Sequence, residues 1–159
     1  MKIIAMANTY TQIHIQGIFA VQNRLSLIID PWKKELYQYI TAIISKNGHT
    51  PLAINGMPDH IHFVCGMRPA QSIADLMQDI KSYSSGWINK SNFIKGKLRW
   101  QDGYGAFTYS KSQLPKVINY VHNQQSHHRH KSFLEEYREI LDRAEIDYDP
   151  RYLFYEIEG

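Results

Sequence analysis

A chain of 159 residues with 43% hydrophobic and 21% charged residues has the size and composition of one folded globule, so residues 1–159 are expected to form a single domain. No apolar run approaches the ~18 residues that a membrane span needs, and Met1–Met6 is too short for a signal-peptide core, so a cytoplasmic protein is expected. The lone cysteine, Cys65, excludes an internal disulfide and a cysteine-based zinc site, and reads as a small buried apolar side chain. The net charge of +3 hides an asymmetry: residues 81–131 hold nine Lys or Arg against one acid, Asp102, whereas residues 132–159 hold nine acids against three Arg. The basic middle fits a polyanionic partner; a solvated basic face is the plainer alternative.

In chain order, residues 10–21 alternate polar and apolar side chains, the period of a half-buried strand. Asp30-Pro31 offers a helix N-cap followed by proline, and Trp32, Leu36, Tyr39, Ile40, Ile43 and Ile44 form one stripe that Asn47-Gly48 ends. Residues 50–67 predict a hairpin with its turn chemistry at Asn55-Gly56-Met57-Pro58-Asp59. A second amphipathic helix spans about 71–93, with Ile73, Leu76, Met77, Ile80 and Tyr83 inward, Ser72 and Asp75 near its start and a kink or fraying at Ser84-Ser85-Gly86. Residues 95–105 form a loop, Ala106–Ser110 a short strand, and Ser112 caps a third helix through Leu114, Val117, Ile118 and Val121. Ser132-Phe-Leu-Glu135 opens a fourth helix with Phe133, Leu134, Tyr137, Ile140 and Leu141 inward. This order predicts an α+β fold: an antiparallel sheet with helices packed on one face and the other face free for function.

The chemistry concentrates in two places. In His60-Ile61-His62 the imidazoles lie at i and i+2 on a strand, so both point to one face while Ile61, Phe63 and Cys65 take the other. Two rigidly held imidazoles make half of a divalent-metal site, although such a pair also occurs as surface or hydrogen-bonded histidines. On the third helix Tyr120 and Gln124 are i and i+4 neighbours beside the apolar arc, where Gln124 could give a carbonyl oxygen as third ligand. A His-His-Gln set with open positions suits Mg2+ or Mn2+ bridging to phosphate at least as well as zinc. Tyr120 would then be a nucleophile, although it is one of eleven tyrosines and packing is the commoner role. Asp59 reads first as a turn residue and second as a partner orienting a histidine. Lys95, Lys97, Arg99 and Trp100 in one loop are candidates for contact with that polyanion, by charge and by stacking, with core packing an equal reading of Trp100. Arg129, among His127, His128, His130 and Lys131, could touch phosphate near the site, ordinary helix-end solvation being the plainer role.

Taken together, Asn55-Gly-Met-Pro-Asp-His-Ile-His62, Trp100-Gln-Asp-Gly-Tyr-Gly-Ala-Phe107, Tyr120-Val-His-Asn-Gln124, His127-His128, Phe133 to Tyr137 and Arg151-Tyr-Leu-Phe154 resemble the HUH single-tyrosine transposases of small insertion sequences and their REP-associated relatives, in order and over nearly the whole chain. The resemblance implies a ferredoxin-like HUH fold, His60, His62 and Gln124 as metal ligands, and Tyr120 as the nucleophile of a 5′-phosphotyrosine intermediate. It further implies single-stranded DNA with hairpin ends as substrate and a homodimer whose sites are shared between subunits. The compact length favours the insertion-sequence members. Another HUH endonuclease, such as a replication initiator or relaxase, and a non-catalytic hairpin-DNA binder are the alternatives.

Overall fold

Alternating side chains in the N-terminal third produce β1 (His14–Ala20), whose neighbours in the sheet come from much later in the chain. The computed structural model describes residues 8–153; Met1–Met6 and Phe154, the end of the last motif, lie outside them. After β1 come α1 (Asp30–Lys46), β2 (Thr50–Met57), β3 (His60–Gly66), α2 (Ile73–Lys90) and β4 (Gly105–Thr108). Then follow α3 (Leu114–His122), the single turn α4 (Gln124–His127) and α5 (Phe133–Arg143). The sheet order is β2-β3-β1-β4 with antiparallel neighbours throughout, an α+β architecture in which β3 separates β1 from β2. Pro51, which has no N–H to give a ladder, sits in the edge strand β2 beside a register shift.

The two-residue period divides the sheet cleanly. Ile15 and Phe19 of β1 and Ile61, Phe63 and Cys65 of β3 pack against Leu36, Ile40 and Ile44 of α1 and Leu76, Met77 and Ile80 of α2. Each fully buried aliphatic side chain there contributes about 1.5–3 kcal/mol. Cys65 is fully enclosed, and burial pushes its thiol up to about 12, so it is an inert packing residue.

The opposite face carries Gln16, Ile18 and Ala20 of β1 and His60, His62 and Val64 of β3. Instead of standing open it is roofed by α3, through Val117 and Val121 on Val64, and by α5, through Phe133, Tyr137 and Leu141 around Ile18 and Ala20. The histidines therefore point into a buried polar layer between sheet and helices. The amphipathic stripe of α5 had nowhere else to bury its apolar side.

Several boundaries depart from expectation. Asp30 is the first residue of α1 and not its cap; Ile29 precedes the helix, and the Asp30 carboxylate pairs with Lys33 at 2.7 Å. Gly48, at φ +86°, follows the helix end in the left-handed conformation that glycine adopts without strain. β2 continues through Met57, leaving only Pro58-Asp59 as the turn, and a side chain on Gly56 would strike the carbonyl oxygen of His60. α2 runs unbroken across Ser84-Ser85-Gly86, because Ser84 faces inward and accepts the Trp100 indole N–H at 3.0 Å. Tyr83 is 60% exposed, off the buried stripe of α2. Ser112 does not cap α3: Gln113 occupies that position and its Oε1 accepts from the Ser110 amide at 2.9 Å. Ser72 and Ser132 do cap their helices, accepting from the Asp75 and Glu135 amides.

Candidate active site

The rigid part of the site is β3. His60 and His62 are both fully buried, side by side, with ring centroids 5.2 Å apart. Each ring is oriented through Nδ1. His60 Nδ1 lies 2.7 Å from Asp59 Oδ1, and His62 Nδ1 lies 2.8 Å from Oε1 of Gln16 on β1. Both partners accept, which puts the ring protons on Nδ1 and turns both Nε2 lone pairs inward. Asp59 is thus an orienting residue as well as a turn residue, held in place by Arg24 at 2.9 Å. The Arg24 guanidinium lies over Phe133, whose ring stacks on His60 with centroids 4.1 Å apart.

The remaining groups come from the roof. α3 stops at His122, and Asn123 (φ −97°, ψ 23°) breaks it before α4, so Tyr120 and Gln124 do not share one continuous helical face as their spacing implies. The Asn55 amide donates to the carbonyls of Val121 and His122, each at 3.0 Å, and fixes this break to β2. Gln124 is fully buried; its Nε2 donates to Glu136 Oε2 at 3.1 Å, which turns its Oε1 inward, 3.0 Å from His60 Nε2.

Glu136, on α5, is the residue that the sequence reading missed. It is 3% exposed; Oε1 lies 3.0 Å from His62 Nε2 and 3.7 Å from His60 Nε2, while Oε2 accepts a close hydrogen bond from the Tyr120 hydroxyl. Glu136 stands at i+3 from Phe133 inside the buried stripe of that residue, Tyr137 and Leu141, a signal that could have marked it as inward-facing. His128 joins the group, its Nε2 3.2 Å from both Glu136 Oε1 and Gln124 Oε1.

The electrostatics follow from burial. Enclosure pushes the His60 pKa down to about 4 against the opposing Asp59 contact, so the ring is neutral at pH 7. Burial also opposes ionisation of Glu136, but hydrogen bonding, that of His128 first, outweighs it and holds the carboxyl well below the usual range. Tyr120 is pushed above the ordinary phenol range by burial and then by the Glu136 charge. On His128, burial lowers the pKa, yet the contact with Glu136 prevails and raises it.

His60 Nε2, His62 Nε2 and a Glu136 carboxylate oxygen lie within 4.8 Å of one another, with Gln124 Oε1 beside them. The Nε2 atoms of two imidazoles, a carboxylate and an amide oxygen thus converge on one point. That donor set fits a divalent cation.

The other sequence candidates lie elsewhere. Trp100 is 9% exposed and packed edge-on against Phe19 at 4.7 Å, in keeping with its reading as a core residue, and what it leaves exposed lines a groove with Lys97 and Arg99. Lys95, Lys97 and Arg99 are exposed, and the last two line a groove with Lys81 and Gln78 of α2, away from Tyr120. Arg129 is exposed in the turn after α4.

Residues 9–124 match the family described as transposase IS200 like, and the chain belongs to that family. It is 22% identical over 118 residues to the ISDra2 transposase TnpA of Deinococcus radiodurans, covering 71% of this chain and 84% of that one. Its fold is similar to the crystal structure of a Deinococcus radiodurans R1 protein assigned as a transposase, with a TM-score of 0.62, 22% identity, and 77% and 98% of the two chains covered. A REP-associated tyrosine transposase bound to a REP hairpin gives a TM-score of 0.58 at 13% identity, over 79% of this chain and 74% of that one. Glu136 and α5 lie beyond the residues that the family match spans.

Proposed function

We propose that this transposase cleaves and rejoins single-stranded DNA through a 5′-phosphotyrosine formed on Tyr120. The observation that carries the reading is the Tyr120 hydroxyl bonded to Glu136, whose other oxygen faces the inward Nε2 atoms of His60 and His62. Tyr120 Oη attacks the phosphorus, the bond to the 3′ oxygen breaks, and the phosphate stays on Tyr120 by its 5′ side. The phenol must give up its proton on attack, and Glu136 Oε2 already accepts that hydrogen; the departing 3′ oxygen takes up a proton. Attack of another 3′-hydroxyl on the phosphotyrosine reverses the reaction and joins a new strand without ATP.

A divalent cation, Mg2+ or Mn2+, held by His60, His62, Gln124 and Glu136, would polarise the phosphate and offset the charge that develops on it. Gln16 and Asp59 keep the imidazoles in the required tautomer. The roof of α3–α5 encloses His60, His62 and Gln124, away from water, which strengthens their interactions. The hairpin bound by the REP-associated neighbour supports hairpin-ended DNA as the substrate class.

The test is incubation of the protein with labelled hairpin-ended single strands and Mn2+, followed by denaturing electrophoresis. A covalent adduct is expected in the wild type and none in Tyr120→Phe. An adduct persisting in that variant would remove Tyr120 as nucleophile. DNA binding without any adduct in the wild type would make the protein a non-catalytic hairpin binder.

A further inference from the structure

Two cavities meet at the last turn of α5. One, about 380 Å3, has Tyr120 and Glu136 at its inner end and Ser126, His127, Lys131 and Arg143 around its wall. The other, about 510 Å3, follows the edge strand β4 past Tyr109 and Gln113 and shares Ile140 and Arg143 with the first. We propose that the joined cavities are the track of a single DNA strand, with Arg143 at the seam binding a phosphodiester next to the one that Tyr120 attacks.

Arg143 is exposed and makes no salt bridge with any described residue, whereas the neighbouring Lys131 is engaged with Glu139 at 2.6 Å. The cavity's acids are thereby answered within the protein, Glu139 by Lys131 and Glu136 by His128, and Arg143 is left as the cation to meet an incoming anion. An arginine fork suits a phosphodiester, which presents two oxygens in one plane. The cavity also contains an unmet polar atom: His127 Nε2 is buried without a hydrogen-bond partner among the described residues, while its ring stacks on Tyr120 with centroids 4.4 Å apart. Buried polar atoms in folded proteins are ordinarily satisfied, so an oxygen supplied by a ligand accounts for this one. Beyond the seam, half-buried Tyr109 and the exposed side chain of Ile146 offer apolar surface to bases.

The proposal rests on Tyr120 as the residue that meets DNA, and its test separates the two. In the Tyr120→Phe background, binding of a fluorescein-labelled mixed-sequence 20-nucleotide single strand is followed by anisotropy across a salt series. Arg143→Ala is expected to weaken binding about tenfold and to reduce the slope of log K against log salt by ~0.7, the loss of one phosphate contact. Arg138→Ala removes an exposed arginine of the same helix that lines neither cavity, and should leave both unchanged. Arg143→Ala binding as tightly as its parent, or Arg138→Ala losing as much, overturns the track. If Arg143→Ala weakens binding although the wild type forms no Tyr120 adduct, the track stands and the cleavage reading falls. If the adduct forms while Arg143→Ala binds normally, only the track falls.

Discussion

Gln16 would pass as one more polar residue in an alternating strand, yet it is 2% exposed and its carbonyl orients His62. Its amide donates to the Tyr109 hydroxyl at 3.0 Å, which fixes which end of the side chain faces the imidazole. Replacing Gln16 by Leu keeps the volume and removes the acceptor, freeing the His62 ring to rotate or change tautomer. We expect the affinity for Mn2+, measured by calorimetry, to fall ten- to a hundredfold while the melting temperature stays near that of the wild type. Unchanged affinity would mean that packing alone orients His62. The histidines themselves were legible, because a two-residue period on a strand dictates which side chains share a face. Glu136 was legible only as a position: its spacing from Phe133 places it within the apolar stripe, but a glutamate there reads as solvated, because the hydrogen bonds from Tyr120, Gln124 and His128 that make its burial favourable come from elements distant in the pattern.

Among the elements, α3 and α4 depart most from a sequence reading. Apolar spacing located α3, and Ser132 located the start of α5, because each is a local pattern. The break at Asn123 has no glycine or proline to announce it; it is made by β2, where Asn55 captures the last carbonyls of α3 and exchanges hydrogen bonds with Gln125. Those contacts lie 66–70 residues apart in the chain, outside the reach of any local pattern. They set where Tyr120 and Gln124 stand relative to β3. Asn55→Ala should cost about 1–3 kcal/mol in urea unfolding, as these hydrogen bonds are lost. Amide exchange over residues 119–127 should quicken, and adduct formation should drop with it. Normal exchange in that segment would show that the break is held by packing instead.

At the scale of the molecule, one chain supplies every part of the site: Gln16 from β1, His60 and His62 from β3, Tyr120 from α3, Gln124 from α4 and Glu136 from α5. The Tyr120 and His62 rings of the same chain are 6.0 Å apart. Family resemblance implies a dimer that shares its sites, which would require α3 to leave its own sheet and lie on that of a partner. Such a move would exchange the contacts of Val117 and Val121 with Val64, and the Tyr120 bond to Glu136, for the same contacts on the partner. Mixing Tyr120→Phe protein with His62→Ala protein distinguishes the two arrangements. A tyrosine serving its own histidines leaves both variants inactive in the mixture, because no chain carries both parts. An exchanged tyrosine creates mixed dimers with one complete site, and adduct labelling would return. With Tyr120 beside the histidines of its own chain, as the 6.0 Å ring separation has it, no adduct is expected in the mixture, and its appearance would show that the helix changes chains before it cuts.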